Sequence, residues 1–460
     1  MQSVNPFSWR FVAPLYMGST LNPINSSIIA TALVPIAAAI NVSVAQTTLL
    51  VTALYLASSI AQPTAGKLSE EFGPRRVFLT GILMVLVGGL LGGLGRDLIM
   101  LVVARVFIGI GTSTAYPSAM ILIRRRADLA GLVEPPGHVL GALQIAGVVT
   151  AAIGLPIGGV LVDAWGWRTT FLVNIPFSLI AFVMAALWIP RDGPIKGVKT
   201  AREIASRIDI LGIIGFAATT TTLLVFLFTL PDLSLLALGV VLVSGVSFVG
   251  WELRVKQPFI DVRMLASNLA LTRTYTRVML MTLCIYTVLY GVTAWIGSTR
   301  VVSSLDVGLL LLPMSIISAI VVGPISKRNL VRGPLIVSAA SSIVASISLI
   351  FLTASSPIIW ILIVTLIFGV TMGTMVSSNQ TALYTQVTAD QIGTASGLFR
   401  TSGYIGSIAS SAIIGIAFHT VVTDSGMHAI AITMITVSAI ALLITVTDRR
   451  LRTPIKSAKN

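Results

Sequence analysis

The chain has 460 residues, of which 55% are hydrophobic and 10% are charged, whereas roughly 25% of the residues in a soluble domain are charged. Apolar runs long enough to cross a bilayer recur from one end of the sequence to the other, which excludes a sizeable soluble domain. The net charge of +14 does not indicate nucleic-acid binding, because the basic residues stand in short segments between apolar runs. Membrane topology and attraction to anionic lipid explain these positions. The composition therefore predicts an all-α polytopic membrane protein.

The apolar runs predict fourteen transmembrane helices in chain order. They cover residues 11–34, 45–65, 77–95, 98–121, 138–161, 170–189, 210–229, 233–251, 273–297, 305–325, 333–353, 357–380, 392–418 and 428–447. A polar linker follows the sixth span at 191–209, and a second basic stretch covers 252–277. We therefore divide the chain into an N-terminal six-helix bundle (1–190), a cytoplasmic linker with an inserted helix pair (191–268), and a C-terminal six-helix bundle with a basic tail (269–460).

The distribution of Lys and Arg predicts the orientation of these spans. An even number of spans puts both termini on one side of the membrane, and 25 of the 30 Lys and Arg residues fall in segments on that side. Only Arg96, Arg168 and Arg300 fall in segments on the opposite side. Because basic loops stay in the cytoplasm, we expect a multi-pass protein of the cell membrane (inner or plasma) with both termini cytoplasmic.

A short charged loop, residues 66–76, joins the second and third predicted spans. We expect Gly66 to permit close approach of the first helix, Gly73 and the following proline to form the turn, and basic residues such as Arg75 to hold the loop in the cytoplasm. The spacing resembles the loop signature G-x-x-x-D-R-x-G-R-R of the major facilitator superfamily, with Glu70 where that family has Asp.

The fifth predicted span carries Gly154, Pro156, Gly158 and Gly159. These small residues allow a neighbouring helix to pack backbone to backbone, and the proline removes one backbone hydrogen bond and bends the helix. Ordinary tight packing explains part of this pattern. The stretch also resembles the G-P-x-x-G-G signature of the antiporter branch of the superfamily, with the proline one position late.

Further matches extend over most of the chain. Residues 167–176, which include Arg168, resemble the W-R-W-x-F-x-I-N-x-P sequence of the fourteen-span drug:proton antiporters, and segments 251–252 and 258–261 are similar to that group too. Asp163, just before the first match, is a further candidate for gating. The resemblance implies the major facilitator fold, with two six-helix bundles plus an inserted helix pair, and drug export by a secondary transporter.

Arg105 and Arg400 lie inside predicted spans, more than one turn from their ends. Arg105 stands about a third of the way into the fourth span, where an arginine costs about 2.5–3.5 kcal/mol on insertion scales, so we expect it to face protein or a wet cavity. It coincides with the R-x-x-x-G signature of the superfamily, whose arginine is linked to proton coupling; the alternative is a structural arginine bonded to carbonyl groups of a neighbouring helix. Arg400, in the penultimate span, resembles an arginine that the fourteen-span subfamily carries there.

The acidic residues are informative because of where they are missing. All sixteen carboxylates stand in loops or near the ends of predicted spans. The fourteen-span antiporters usually carry a buried aspartate in the first span, and Ser26 stands at that place. A pump for lipophilic cations needs a buried carboxylate, so the sequence favours neutral or anionic substrates. The same absence leaves proton coupling open, with Asp163 as a possible substitute.

The remaining candidates for a substrate or proton pathway are neutral polar or aromatic residues within the spans. They are Asn22, Asn25, Ser26, Tyr55, Tyr116, Gln144, Tyr286, Tyr290, Asn379 and Gln380. For any one of them a hydrogen bond between helices is the commoner role, but as a set they suit a broad, mostly apolar pocket. Tyr286 and Tyr290 are four residues apart and should share a helical face.

The sequence thus predicts a non-enzymatic secondary transporter for multidrug-type efflux of neutral or anionic organic compounds, by proton antiport and alternating access. The alternatives are an uncoupled facilitator or importer of a specific organic solute, and a membrane scaffold or sensor that transports nothing. The expected partners are a small-molecule substrate, protons and membrane lipid, without nucleic acid, and we expect a monomer. The single cysteine, Cys284, and the scattered histidines have no ligand-like spacing, so neither a metal nor a cofactor is expected.

Overall fold

Long apolar helices make up the protein. A computed structural model of the chain describes residues 6–132, 136–193, 208–229, 233–256, 258–300, 302–328, 330–387 and 392–452. Within these ranges all regular structure is helical, and twelve of the helices are long and apolar enough to cross a membrane. The chain therefore has the architecture of a polytopic integral membrane protein.

Short connections join most successive helices. The helices are α1 (Trp9–Ala39), α2 (Val44–Phe72), α3 (Pro74–Leu94), α4 (Leu98–Leu129), α5 (Gly137–Trp165), α6 (Thr169–Leu172), α7 (Asn174–Trp188), α8 (Ile210–Phe228), α9 (Leu235–Glu252), α10 (Val262–Ser267), α11 (Leu269–Thr287), a π-helix (Val288–Val292), α12 (Thr293–Thr299), α13 (Ser304–Lys327), α14 (Arg332–Ile350), α15 (Ile358–Tyr384), α16 (Ile392–Ala417), α17 (Asp424–Thr447) and a 3₁₀ turn (Arg449–Arg452). We refer to α1–α7 as the N-terminal helices, to α8 and α9 as the inserted helices, and to α11–α17 as the C-terminal helices.

Each of the fourteen predicted spans coincides with a helix of this set. The helices α6 and α7 together form one candidate span, Thr169–Trp188, and the π-helix joins α11 and α12 into another, Leu269–Thr299. The twelve helices that satisfy the length and hydropathy requirements do not include α5 and α16. The number fourteen for the transmembrane helices therefore stays a prediction.

Many hydroxyl side chains inside the spans form hydrogen bonds within their own helices. Ser26 donates a hydrogen bond to the carbonyl of Asn22 (2.9 Å), and Thr48 donates to the carbonyl of Ala45 (2.6 Å). Because lipid offers no hydrogen-bond partner, this bonding to the preceding turn lets a spanning helix carry Ser and Thr without leaving polar atoms unpaired.

The junction between α2 and α3 is tighter than the sequence predicted. The predicted loop does not form, because α2 continues through the charged residues to Phe72, Gly73 alone makes the turn with φ 97°, and Pro74 begins α3. A helix can extend past the hydrocarbon, where its charged side chains meet water and headgroups. The expected close approach at Gly66 is wrong, since a Cβ added there would lie 4.0 Å from the Cβ of Pro117, an ordinary contact.

Asp192, which follows α7, fixes this junction. Its carboxylate accepts hydrogen bonds from the backbone N–H groups of Arg75 (3.4 Å) and Arg76 (2.9 Å), where the N-terminal end of α3 favours an anion. A guanidinium nitrogen of Arg125 on α4 lies 3.8 Å from the same carboxylate. The Arg75 side chain donates to the carbonyl of Ala186 (2.6 Å), so it attaches α3 to α7. This contact is separate from the predicted role of Arg75 in holding the loop in the cytoplasm.

A buried ion pair joins α11 to the end of α17. Nη1 of Arg277 lies 3.0 Å from Oδ2 of Asp448, and their side chains are 1% and 0% exposed. Nη2 of the arginine donates to Oγ1 of Thr274 (2.7 Å) and Nε donates to Oδ1 of Asn379 (3.5 Å). Arg277 belongs to the overlap between the basic stretch 252–277 and the predicted span 273–297, and its charge counts toward the basic stretch. The structure places it in the helix, because α11 begins at Leu269, so that its side chain is buried.

One apolar core extends across the N-terminal and C-terminal helices. Its buried members include Leu54 of α2, Ile108 of α4, Val288 of the π-helix and Phe368 of α15. The inserted helices lie outside most of this core, with Leu224 of α8 as a buried member. The interface between the N-terminal and C-terminal helices is therefore a packed one.

The Gly73 turn gives a first test. Gly73→Ala should lower the free energy of unfolding by about 1–3 kcal/mol, because a positive φ is strained for other residues and the added Cβ would overlap the Asp192 carboxyl group. The measurement is the Tm of the purified protein in detergent. Gly66→Ala is the matched control and should keep the wild-type Tm. Equal effects of the two substitutions would contradict the turn described here.

The buried ion pair gives a second test. Asp448→Ala should destabilise the protein by about 3–5 kcal/mol, because it leaves the Arg277 guanidinium buried without its counter-ion. The pair of Arg124 and Asp128 has a similar length, 3.2 Å, but its side chains are 60% and 57% exposed. Asp128→Ala should therefore change stability by no more than about 1 kcal/mol. Denaturation of both variants checks the difference, and comparable losses would refute it.

Candidate functional site

A buried arginine of α4 lies at the interface between α1, α2 and α4. Arg105 is 1% exposed, and it donates from Nε to the carbonyl of Leu50 (3.1 Å) and from Nη1 to the carbonyl of Asn25 (3.3 Å). Nη2 is also buried but has no hydrogen-bond partner among the described residues. A structural role explains the first two nitrogens. The third is an unpaired buried donor, which is unfavourable, so it is available to an acceptor that enters the site.

Four tyrosines form a cluster beside this arginine. They are Tyr55 of α2, Tyr286 of α11, Tyr290 of the π-helix and Tyr404 of α16. The ring centroid of Tyr55 lies 5.1 Å from that of Tyr286 and 5.7 Å from that of Tyr404. Tyr286 and Tyr290 stack with their centroids 5.7 Å apart, which confirms that they share a face. Because Tyr55 belongs to the N-terminal helices and the others to the C-terminal helices, the cluster spans the interface between the two groups.

Hydrogen bonds of the tyrosine hydroxyls also cross this interface. The hydroxyl oxygens of Tyr55 and Tyr290 are 3.2 Å apart, and Tyr290 donates to the carbonyl of Ser26 on α1 (2.9 Å). The hydroxyl of Tyr404 donates to Oε1 of Gln62 on α2 (2.5 Å). The two groups of helices are therefore held together here by a few polar contacts within an otherwise apolar interface.

Arg400 crosses the same interface. Its guanidinium carbon lies 3.6 Å from the centroid of the Tyr116 ring on α4, a cation–π contact. Arg105 and Arg400 thus both face protein, as expected of charged residues inside spans. Among the described residues, no Asp or Glu forms an ion pair with either arginine.

The polar candidates of α1 make contacts within the N-terminal helices. Nδ2 of Asn22 donates to Oγ of Ser58 (3.3 Å) and to Oγ1 of Thr112 (3.0 Å). The side-chain amides of Asn25 and Asn174 bind each other with bonds of 2.6 and 2.9 Å. The Asn25 side chain therefore attaches α1 to α7, while only its backbone carbonyl contacts the central arginine.

Two predicted pathway residues of α15 lie away from the tyrosine cluster. Asn379 binds Arg277 and so lies in the buried ion-pair cluster of the C-terminal helices. Gln380 is half-buried next to it on α15. The Gln144 side chain lies outside the described residues.

A second contact between the two groups of helices is built from glycines. A Cβ added to Gly159 of α5 would lie 2.6 Å from the carbonyl oxygen of Ser304, and one added to Gly308 of α13 would lie 2.7 Å from the carbonyl oxygen of Leu155. The backbones of α5 and α13 therefore touch, which only residues without a side chain allow.

Asp163 reinforces this crossing. Its carboxylate accepts hydrogen bonds from the backbone N–H groups of Ser304 (3.0 Å) and Leu305 (2.9 Å). It thus caps the N-terminus of α13 from α5, where the helix dipole favours a negative charge. The residue is exposed, so it joins the two groups of helices at the surface of the protein.

The other motif residues of this region pack within the N-terminal helices. Gly154 and Gly158 face α1, where an added Cβ would lie 2.6–2.7 Å from the nearest atoms, and Pro156 lies inside α5. Arg168 donates from Nη2 to the carbonyl of Gly95 (3.1 Å), at the end of α3. Glu70 of the α2 motif is exposed.

Sequence reasoning missed two residues of these contacts. Tyr404 follows Arg400 by four residues on α16, and that spacing, which places both on one face, could have identified it. Gly308 has no comparable signal, because a single glycine in an apolar run shows which helix it contacts only after folding.

A cavity of about 600 Å³ lies elsewhere, between α2, α4 and α8. Its lining is almost wholly apolar, with side chains such as Leu56, Val106 and Leu224. None of the predicted site residues lines it within the described part of the chain. The cavity is therefore a feature of the contact between an inserted helix and the N-terminal helices.

The fold and these motifs agree with a family comparison. The model of the Major Facilitator Superfamily matches residues 15–411. The chain therefore belongs to the Major Facilitator Superfamily, which confirms the resemblance identified from the sequence motifs.

Individual relatives and solved structures extend this finding. The chain is 32% identical over 444 residues to the uncharacterized MFS-type transporter YwoD of Bacillus subtilis (strain 168), covering 95% of this chain and 96% of YwoD. It is 27% identical over 432 residues to the tetracenomycin C resistance and export protein of Streptomyces glaucescens, covering 90% of this chain and 77% of that protein. The crystal structure of a peptide transporter POT covers 96% of this chain and 95% of its own with a TM-score of 0.68 at 13% identity, a likeness of fold alone.

The glycine crossing gives a third test. Gly159→Ala should force α5 and α13 apart, because its Cβ would meet backbone atoms, and should increase the exposure of Val34, which is half-buried on α1 next to Gly297 of α12. In a Cys284→Ser background, the labelling rate of Val34→Cys by a maleimide should rise several-fold. Gly147→Ala on the same helix, whose Cβ would lie 3.8 Å from Pro23, is the control. An unchanged labelling rate with Gly159→Ala would contradict a closed crossing.

Proposed function

We propose that this protein is a secondary active transporter of the cell membrane that exports small organic compounds by proton antiport and alternating access. In this proposal two six-helix bundles (1–190 and 269–460) flank a linker and an inserted helix pair (191–268), with fourteen transmembrane helices and both termini in the cytoplasm. The protein acts as a monomer on its substrate and on protons.

The observation that carries the proposal is the unpaired Nη2 of Arg105 beside four tyrosines. A buried cation without an acidic partner favours an anion or a neutral acceptor and disfavours a second cation. Aromatic rings offer a large apolar surface with polar edges. The arrangement therefore supports substrates that combine an aromatic body with a carboxylate or a carbonyl group.

Two separate contacts between the groups of helices support alternating access. The crossing of α5 and α13 at Gly159 and Gly308 is one, and the contacts of Tyr404 with Gln62 and of Arg400 with its tyrosine partner form the other. Opening one contact while the other stays closed would expose the central cluster to one side of the membrane at a time. The tetracenomycin C export protein among the relatives favours the outward direction.

The alternatives predict different behaviour. An uncoupled facilitator or an importer would move the same solute without responding to a proton gradient, or in the opposite direction. A scaffold or sensor would bind without any flux. Among the described residues, no Asp or Glu belongs to the cluster of Arg105 and the four tyrosines. This absence is the reason for retaining the uncoupled facilitator as an alternative.

Ligand binding tests the substrate class. A matched series of aromatic compounds carrying a carboxylate, a neutral amide or a quaternary ammonium should raise the Tm of the wild-type protein only for the first two. Arg105→Gln should weaken binding of the carboxylate at least tenfold, about 1.4 kcal/mol, because the acceptor loses its cation. Arg168→Gln, which lies outside the cluster, should bind as the wild type does. Preferential stabilisation by the ammonium compound would overturn the assignment.

Flux measurements then separate the mechanisms. Proteoliposomes that contain only the purified protein should move the best-binding compound without ATP and faster when a proton gradient is imposed. Flux that ignores the gradient would replace antiport by facilitated diffusion. Binding without flux would leave the scaffold as the better account.

A further inference from the structure

Three charged side chains meet where the inserted helices contact α2. Asp209, just before α8, is 3% exposed, and Glu252, the last residue of α9, is 1% exposed. Lys67 of α2 donates from Nζ to the carbonyls of Ile208 (3.4 Å) and Pro258 (3.1 Å), and its ammonium group interacts electrostatically with both carboxyl groups. We call Lys67, Asp209 and Glu252 the Lys67 cluster.

Asp209 has the surroundings of an ionised carboxylate. Its Oδ1 accepts hydrogen bonds from the N–H of Gly212 (3.0 Å) and from Nε1 of Trp251 (2.9 Å). Its Oδ2 accepts from the N–H of Phe259 (2.9 Å). Several donors directed at one carboxylate stabilise its charged form.

Glu252 has different surroundings. Its Oε2 accepts one hydrogen bond, from the N–H of Ile260 (3.2 Å), while its Oε1 is buried and has no partner in the described part of the chain. This oxygen lies near Asp209, because a Cβ added to Gly212 would lie 2.5 Å from Oε1 of Glu252 and would also overlap Oδ2 of Asp209. Two ionised carboxylates that are neighbours in a buried site repel each other strongly.

The charges of the cluster balance only when one carboxyl group is neutral. Among the described residues, the charged groups that face Glu252 are Asp209 and Lys67, and Lys67 also interacts with Glu70. Within this set one ammonium group compensates one buried carboxylate, and a second carboxylate would leave an uncompensated charge away from water. A proton on Glu252 removes this excess and lets the unpaired oxygen become a donor.

We propose that Glu252 and Asp209 form a proton-binding site in which the proton is bonded to Oε1 of Glu252 and hydrogen-bonded to the Asp209 carboxylate, with Lys67 as the counter-ion. On release the O–H bond breaks, the proton passes to water, and Glu252 becomes a carboxylate that repels Asp209. This repulsion loosens the packing of α9 against α8. Proton binding restores it. The site is separate from the tyrosine cluster and does not depend on proton antiport.

Infrared spectroscopy of the reconstituted full-length protein tests the proposal directly. The wild type at neutral pH should show the C=O stretching band of a protonated, buried carboxyl group. Glu252→Gln, which keeps the shape of the side chain, should lose a band equivalent to one carboxyl group, and Asp128→Asn, at an exposed acid, should keep it. A wild type without this band, or a Glu252→Gln variant that retains it, would overturn the proposal.

Stability as a function of pH is an independent readout. The folded protein holds a proton that the unfolded chain has lost at neutral pH, so its Tm should fall as the pH rises. The Glu252→Gln variant should show a weaker decrease than the wild type and the Asp128→Asn variant. Equal pH dependence in all three proteins would contradict the proposal. Stabilisation of the wild type by sodium chloride but not by choline chloride would indicate a metal cation in place of the proton and would also overturn it.

Discussion

The interior of a membrane offers no hydrogen-bond partner, and this constraint governs the whole structure. Many hydroxyl groups within the spans bond to carbonyls of their own helices, and larger polar side chains pair between helices, as Asn25 does with Asn174. Among the described residues, Nη2 of Arg105 departs from this pattern, as do several buried hydroxyls such as that of Ser113, but the arginine carries a charge. In a lipid environment such a departure is unfavourable unless something else fills the gap. This is the physical reason for placing the function at the arginine.

The interface between the two groups of helices combines polar contacts in the tyrosine cluster with close backbone packing at the glycine crossing. Tyr55 and Tyr290 join across it through their hydroxyl groups, whereas Gly159 and Gly308 let two backbones touch. Among the described residues, no ion pair joins the two groups of helices at these contacts. An interface of this type can separate and reform more readily than the ion pair of Arg277 and Asp448, which lies wholly within the C-terminal helices.

The acidic residues show that a residue at a helix end can still be buried. Asp209, Glu252 and Asp448 all stand at or just beyond helix ends, as the sequence indicated, yet each is nearly inaccessible to solvent. A helix end is exposed only when nothing packs over it. Here α2 covers the ends of the inserted helices, and α11 contacts the residue that follows α17. The buried acids described here therefore lie at helix ends, away from the tyrosine cluster, and they contact neighbouring helices there.

The sequence by itself determined the membrane class, the family and the approximate helices, because lipid requires long apolar segments and leaves them visible as runs of residues. It also identified Arg105, Arg400 and the Tyr286–Tyr290 pair, since a charge or a one-turn spacing within a span can be read locally. Tertiary structure alone decided the rest. It joined Tyr55 to the tyrosines of the C-terminal helices, continued α2 to Phe72, and brought the acids at the ends of the inserted helices together. These contacts bring together residues far apart in the chain, and no local pattern encodes which helix faces will meet.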